Sequence, residues 1–167
     1  VFKKPPAGRK KIILSTNIAE TSVTIADITT VIDSGLAKMN FYNPRTFTSS
    51  LTETTVSKAS CNQRRGRAGR TCEGTCYRLY TRKDFDTRQM YTTEEIYRTD
   101  LSEVVLQMAD LGIKDFYGFD FISPPGREGI IGAVDTLNML GALSPDNTLS
   151  SIGKLMAAFP LEPRISR

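Results

Sequence analysis

The sequence predicts an α/β fold: a partial parallel sheet with a protruding β-hairpin, followed by a mainly helical domain. Three observations predict it. Short apolar runs bounded by turn residues, Lys11-Ile12-Ile13-Leu14-Ser15 and residues 28–33, read as strands covered on both faces. Beyond about residue 90 the apolar residues switch to helical spacing. The charge balance switches near the same point: residues 1–83 carry 15 Lys and Arg against 5 Asp and Glu, and residues 84–167 carry 7 against 13.

In order along the chain, Pro5-Pro6-Ala7-Gly8 reads as a turn and residues 11–15 as the first buried strand. Residues 28–33 form the second. Residues 36–42 and 51–56, separated by Asn43-Pro44-Arg45 and further polar residues, read as an antiparallel hairpin that protrudes from the sheet. Residues 57–70 then predict a helix, although Gly66 and Gly69 each cost up to ~1 kcal/mol of helix stability. Cys76-Tyr77-Arg78-Leu79-Tyr80 returns as a strand. Strand, loop, strand, hairpin, helix and strand make part of an α/β domain.

In the second half, Leu101, Val104, Val105, Met108 and Leu111 recur on one helical face, closed by Gly112 in a left-handed cap. Ile130, Ala133, Val134, Leu137 and Leu140 repeat the pattern before Gly141. Both stripes are predicted core. Ala142-Leu143-Ser144 and Thr148-Leu149-Ser150 flank Pro145-Asp146-Asn147, a short hairpin with a turn at its tip, so the region reads as a winged helix. A last helix over residues 152–159 stops at Pro160. The domain boundaries are therefore set at 1–90 and 91–167.

Composition narrows the function classes. With 40% hydrophobic and 24% charged residues, the 167-residue chain is globular in type, and one or two cores are within its reach. No apolar run approaches the ~20 residues that cross a bilayer, and Val1-Phe2-Lys3-Lys4-Pro5-Pro6 lacks the apolar stretch of a secretory signal. The expected location is intracellular: the cytoplasm, or the nucleus in a eukaryote. Cys61, Cys72 and Cys76 are odd in number, and there is no His. Free thiols are expected, and no metal site: Cys72-x3-Cys76 has no second pair at zinc spacing. The basic first half is where a polyanion would bind.

The strongest local signal is Gln63-Arg64-Arg65-Gly66-Arg67-Ala68-Gly69-Arg70. In a helix Gln63, Arg67 and Arg70 fall at i, i+4 and i+7 and share a face, while Arg64 and Arg65 project elsewhere. A guanidinium is planar, permanently charged and matched to phosphate oxygens. Two on one face can stabilise charge on a transferring γ-phosphoryl group, and an amide beside them can orient the phosphate or a water. The same four arginines in seven residues also suit a solvated basic helix that binds nucleic acid without specificity.

This octet resembles motif VI of the superfamily 2 helicases. Ser15-Thr16-Asn17-Ile18-Ala19-Glu20-Thr21-Ser22-Val23-Thr24-Ile25 resembles motif V of their DEAH-box branch, at the expected separation upstream. The likeness continues through Asp33-Ser34-Gly35, Tyr42-Asn43-Pro44-Arg45, Leu140-Gly141-Ala142-Leu143 and Phe159-Pro160-Leu161, over essentially the entire chain. Viral DExH helicases share the motif VI pattern, but their motif V is unlike Thr16 to Ser22. A non-enzymatic basic module with a winged helix is the alternative from another class.

The resemblance implies two RecA-like domains closing over ATP and Mg²⁺, with this chain holding part of the second. It implies that Gln63 meets the γ-phosphate side, that Arg67 and Arg70 are arginine fingers, and that Thr16, Asn17, Thr21 and Ser22 lie along the RNA. Helix capping is a plainer role for those small polar residues. Ala26 stands where many members carry an Asp, which makes Asp27 the nucleotide-contacting candidate. The hairpin resembles the family's strand-separating hairpin, and the second domain its winged helix. Partners implied are RNA, the remaining helicase domains of the same chain and activating proteins. There is no GxxxxGK[ST] loop and no Asp-Glu-x-His segment, so the chain is expected to be a fragment that does not hydrolyse ATP alone.

Overall fold

The computed structural model describes residues 1–43 and 46–167. Residues 44 and 45 of the predicted hairpin turn, and of the helicase-like Tyr42-Asn43-Pro44-Arg45 segment, lie outside the described residues. The chain divides into two compact units, one of Val1–Met39 with Leu51–Thr92, the other of Asn40–Ser50 with Thr93–Arg167.

In the first unit, β1 (Thr30–Asp33) and β2 (Thr75–Arg78) pair in parallel, with Thr30 opposite Thr75 and Asp33 opposite Arg78. The helix α2 (Lys58–Ala68) packs against both strands, and a short α1 (Ile18–Thr21) packs against α2. Ser57 begins α2 from an extended backbone, its hydroxyl accepting from the Ser60 N–H at 3.2 Å. Gly74 permits the close return from α2 to β2, since a Cβ there would overlap the Ala68 carbonyl. A further helix, α3 (Arg82–Thr87), was not expected. Its sequence signal is Thr81-x-x-Asp84, in which the Thr81 hydroxyl accepts from the Asp84 N–H at 3.1 Å.

The hairpin consists of strands β3 (Leu36–Asn43) and β4 (Thr48–Thr55). Within the second unit its far end is tied down. The Tyr42 N–H donates to the Arg98 carbonyl at 2.8 Å, and the Arg98 guanidinium donates to the Asn40 carbonyl at 3.0 Å.

The rest of the second unit is helical: α4 (Ser102–Asp110), α5 (Arg127–Met139), α6 (Ser151–Ala158) and α7 (Pro163–Ser166). Its core is a single cluster built on Val105, Phe116, Ala133, Leu137, Ala142 and Met156. Gly112 and Gly141 both close their helices at positive φ, +80° and +71°. The wing forms as expected: Leu143 bridges Leu149 antiparallel, the Ser144 N–H donates to the Thr148 carbonyl, and Asn147 sits at φ +60° in the turn.

Two expectations are corrected. Residues 11–15 are not a strand, and Ile12 and Leu14 are 85% and 94% exposed. An apolar run becomes a strand only when neighbouring backbone pairs with it, and among the described residues the parallel sheet contains β1 and β2 alone. The first helical stripe is also shifted. Val105 and Met108 are buried, but Val104 is partly exposed and Leu111 is 78% exposed, with Leu106 and Ala109 taking their places. The helix starts at Ser102 and stops before Leu111, so the real buried arc is centred about one residue further along than the spacing suggested.

Candidate functional site

Helix α2 ends sooner than expected. Ala68 is its last residue, Gly69 caps it, and Arg70 lies beyond the helical register. Gln63 and Arg70 are exposed, whereas Arg67 is half-buried. The shared face thus holds for Gln63 and Arg67, and Arg70 is placed by the turn that follows them.

Arg67 reaches back onto the segment around α1. Its Nη1 donates to the Val23 carbonyl at 3.1 Å and its Nη2 donates to the Glu20 carbonyl. Burial and the neighbouring Arg70 charge both push the pKa of Arg67 below the usual guanidinium value, although a guanidinium remains protonated at any working pH. A half-buried cation with a second, exposed cation acting on it is a spot where an anion relieves repulsion.

Arg64 is directed inward. Its Nε donates to a Glu20 carboxylate oxygen at 2.7 Å, and its Nη1 donates to Asp33 at 2.9 Å and to the Leu36 carbonyl at 3.1 Å. Asp33, at the end of β1, is sealed from solvent, and it also accepts from the Gly35 N–H at 2.9 Å and the Tyr80 hydroxyl at 2.8 Å. Burial alone would raise the Asp33 pKa, but these donors outweigh it and hold the carboxyl below its ordinary value. Tyr80 responds oppositely: burial, Cys61 and the Asp33 charge push its phenol far upward.

Beside this cluster the buried Arg88 donates to the Gly35 and Val56 carbonyls at 2.9 and 3.2 Å, pairs with Asp84 at 2.8 Å and stacks on the Tyr80 ring at 4.0 Å. Gly35, at φ +73°, is required here, because a Cβ would meet Arg88 Nη2 at 2.6 Å. Sequence reasoning left Glu20, Tyr80 and Arg88 without roles. The available signal was the acidic Asp33-Ser34-Gly35 ending an apolar strand.

The polar residues of the upstream segment are exposed: Thr16, Asn17, Thr21 and Ser22 all face solvent. Asn17 occupies the cap position of α1, but its side chain makes no cap hydrogen bond, so capping does not account for it. The Thr21 and Ser22 hydroxyls lie 3.4 Å apart. Asp27 stands apart from these residues in an ion pair with Lys11 Nζ at 3.0 Å, and this pairing lowers its pKa. Next to it, the Thr71 hydroxyl donates to the Ala26 carbonyl. Arg67 and the Glu20 to Val23 backbone are therefore brought together, and Asp27 is not joined to them by any described contact.

Comparison with known proteins finds likeness along the whole chain. The helicase conserved C-terminal domain matches residues 1–72, and the winged-helix helicase associated domain (HA2) matches residues 133–161. The ATP-dependent RNA helicase HrpA of Borreliella burgdorferi is 55% identical across all 167 residues, which cover 20% of that protein. Two Escherichia coli structures, the DExH-box NTPase HrpB and the DEAH/RHA helicase HrpB, are each 34% identical over 99% of the chain, with TM-scores of 0.83 and 0.90. The chain spans about one fifth of the length of these relatives. Carrying both domain signatures in order and this identity from end to end, the chain is similar throughout to one part of these helicases.

Proposed function

We propose that this chain serves an ATP-dependent RNA helicase, to which it supplies arginine fingers for ATP hydrolysis and a link between nucleotide state and movement along RNA. Residues 1–90 are read as part of the second RecA-like domain and residues 91–167 as the winged-helix domain. One observation carries the reading: Arg67, with the Arg70 charge beside it, is joined by hydrogen bonds to the Glu20 to Val23 backbone. A phosphate-binding group and an RNA-facing segment are thereby one connected unit.

The donor set fits nucleotide phosphates. Arg67 and Arg70 offer planar forks to the γ-phosphoryl oxygens, and the exposed Gln63 amide, one turn before Arg67, orients the phosphate or the attacking water. Mg²⁺, when bound with the nucleotide, would neutralise charge developing on the phosphate oxygens. Its ligands are assigned to the first RecA-like domain, so that this chain alone does not turn over ATP. Asp27 is held by Lys11 in a partly exposed ion pair, and would exchange this partner for a nucleotide contact. Thr16, Asn17, Thr21 and Ser22, all exposed and uncharged, suit contacts to an RNA backbone, which position a strand without reading its sequence.

The test is RNA-stimulated ATP turnover by the full-length protein. Arg67→Ala and Arg70→Ala should each lower kcat by ~10³-fold or more while RNA affinity stays within about threefold, as expected for groups that do not touch RNA. Turnover at the unsubstituted rate in either variant would remove that residue from the site.

A further inference from the structure

Helix α1 has little to hold it in place. It is four residues long, none of them is buried, and its cap residue Asn17 makes no side-chain hydrogen bond. A single turn of this kind is not stable by itself in water, where helices below ~12 residues are marginal. Among the described residues, its hydrogen bonds to α2 run through Glu20, held at two points by two different arginines: the carboxylate by Arg64 and the carbonyl by Arg67.

The two arginines are not equivalent. Arg64 is fixed, because its Nη1 is bound to the sealed carboxylate of Asp33 and to the Leu36 carbonyl, both independent of α1. Arg67 is half-buried and its described acceptors are neutral carbonyls, those of Glu20 and Val23. A guanidinium facing two neutral carbonyls gives them up readily for an anion, since charge-assisted hydrogen bonds are about twice as strong as neutral ones. Arg64, already paired with two carboxylates, has no such incentive.

We propose that Glu20 is a positioning residue: its carboxylate pair with Arg64 is the hinge that keeps the Thr16 to Ser22 segment attached to helix α2 while Arg67 moves between the Glu20 and Val23 carbonyls and a nucleotide phosphate. This rests on the reading of Arg67 as a phosphate-binding group. When Arg67 departs, the carbonyls of Glu20 and Val23 lose their donors and the Thr21 to Val23 backbone is free to change conformation, but the Arg64 pair still transmits the motion of α2 to α1. Without the carboxylate contact, α1 is released together with Arg67 and RNA no longer senses the nucleotide. Glu20 touches neither phosphate nor RNA in this scheme. Its side chain acts through Arg64 alone.

The experiment uses Glu20→Gln in the full-length protein, an isosteric change that keeps the carbonyl and removes the charge. Three quantities are read: ATP turnover without RNA, ATP turnover with saturating RNA, and the ratio of RNA affinities with and without a non-hydrolysable ATP analogue. The expected result is unchanged basal turnover, loss of at least tenfold of the RNA stimulation, and an affinity ratio that falls to near one. A merely structural role would lower all three together and would not touch the affinity ratio selectively. If Glu20→Gln folds poorly, as judged by its thermal unfolding, Glu20→Asp replaces it; one methylene shorter, it keeps the charge and should retain part of the stimulation. Wild-type stimulation and affinity ratio in a folded Glu20 variant would overturn the hinge. Should Arg67→Ala also retain full turnover, the phosphate-binding reading itself fails; should Arg67→Ala be inactive, only the hinge does.

Discussion

The guanidinium of Arg64 lies 2.9 Å from a carboxylate oxygen of Asp33 whose side chain has no solvent exposure. This pair fixes the second half of the arginine-rich helix to the end of β1, and Glu20 joins it at 2.7 Å. Breaking such a pair from one end leaves a buried charge without its partner.

Arg64→Ala should therefore destabilise the full-length protein by about 3 kcal/mol in the domain that contains it. Asp33→Asn should cost less, because the amide oxygen still accepts from the Gly35 N–H and the amide NH2 can donate to the Tyr80 hydroxyl oxygen. Urea unfolding of the two variants, followed by circular dichroism, compares them directly. Equal losses would mean that charge pairing is not what holds the site.

Acid should weaken the same cluster. Asp33 has a folded pKa below its ordinary value, so its contribution is fully present above the unfolded pKa of about 4 and is lost as pH falls through the lower folded value. Stability measured from pH 6 down to pH 2 should fall in that window, and Asp33→Asn should flatten the fall. An unchanged acid limb in the variant would contradict the assignment.

Two glycines with similar backbone angles should behave differently. Gly35 and Gly112 lie at φ +73° and +80°, but only Gly35 is crowded, with Tyr80 and Arg88 against the place a Cβ would occupy. Gly112→Ala should cost about 1 kcal/mol, the strain of a left-handed residue. Gly35→Ala should cost at least twice that, since a ring and a guanidinium must also move. Melting temperatures of the two variants decide it.

The helical stripe gives a similar contrast. Leu137→Ala, at a fully buried position, should lose about 3 kcal/mol, whereas Leu111→Ala, at a position 78% exposed, should lose under about 0.5 kcal/mol. A large loss at Leu111 in denaturant unfolding would restore the face inferred from spacing.

How much of this was legible in the sequence depends on how local the determinant is. Gly112 and Gly141 ending helices and the Pro145 to Asn147 turn are set by adjacent residues, and all formed as read. Residues 11–15 depended on strands elsewhere, so their apolar pattern misled. In the site, the spacing of Gln63 and Arg67 was readable. The destination of Arg64 was not, because its partners Glu20, Asp33 and Leu36 are 44, 31 and 28 residues away. Helical register likewise could not place Arg70, since Gly69 ends the helix one residue before it.

On nucleotide binding, Arg67 should exchange its backbone carbonyls for phosphate. The most direct measurement is a structure of the full-length protein with RNA, Mg²⁺ and ADP with aluminium fluoride in the place of the transferring phosphoryl group. The Arg67 and Arg70 guanidinium nitrogens are expected at hydrogen-bond distance, about 2.7–3.0 Å, from the fluorides, with the Glu20 and Val23 carbonyls released and the Glu20 carboxylate still on Arg64. Arg67 remaining on those carbonyls while the fluorides are bound by other groups would contradict it.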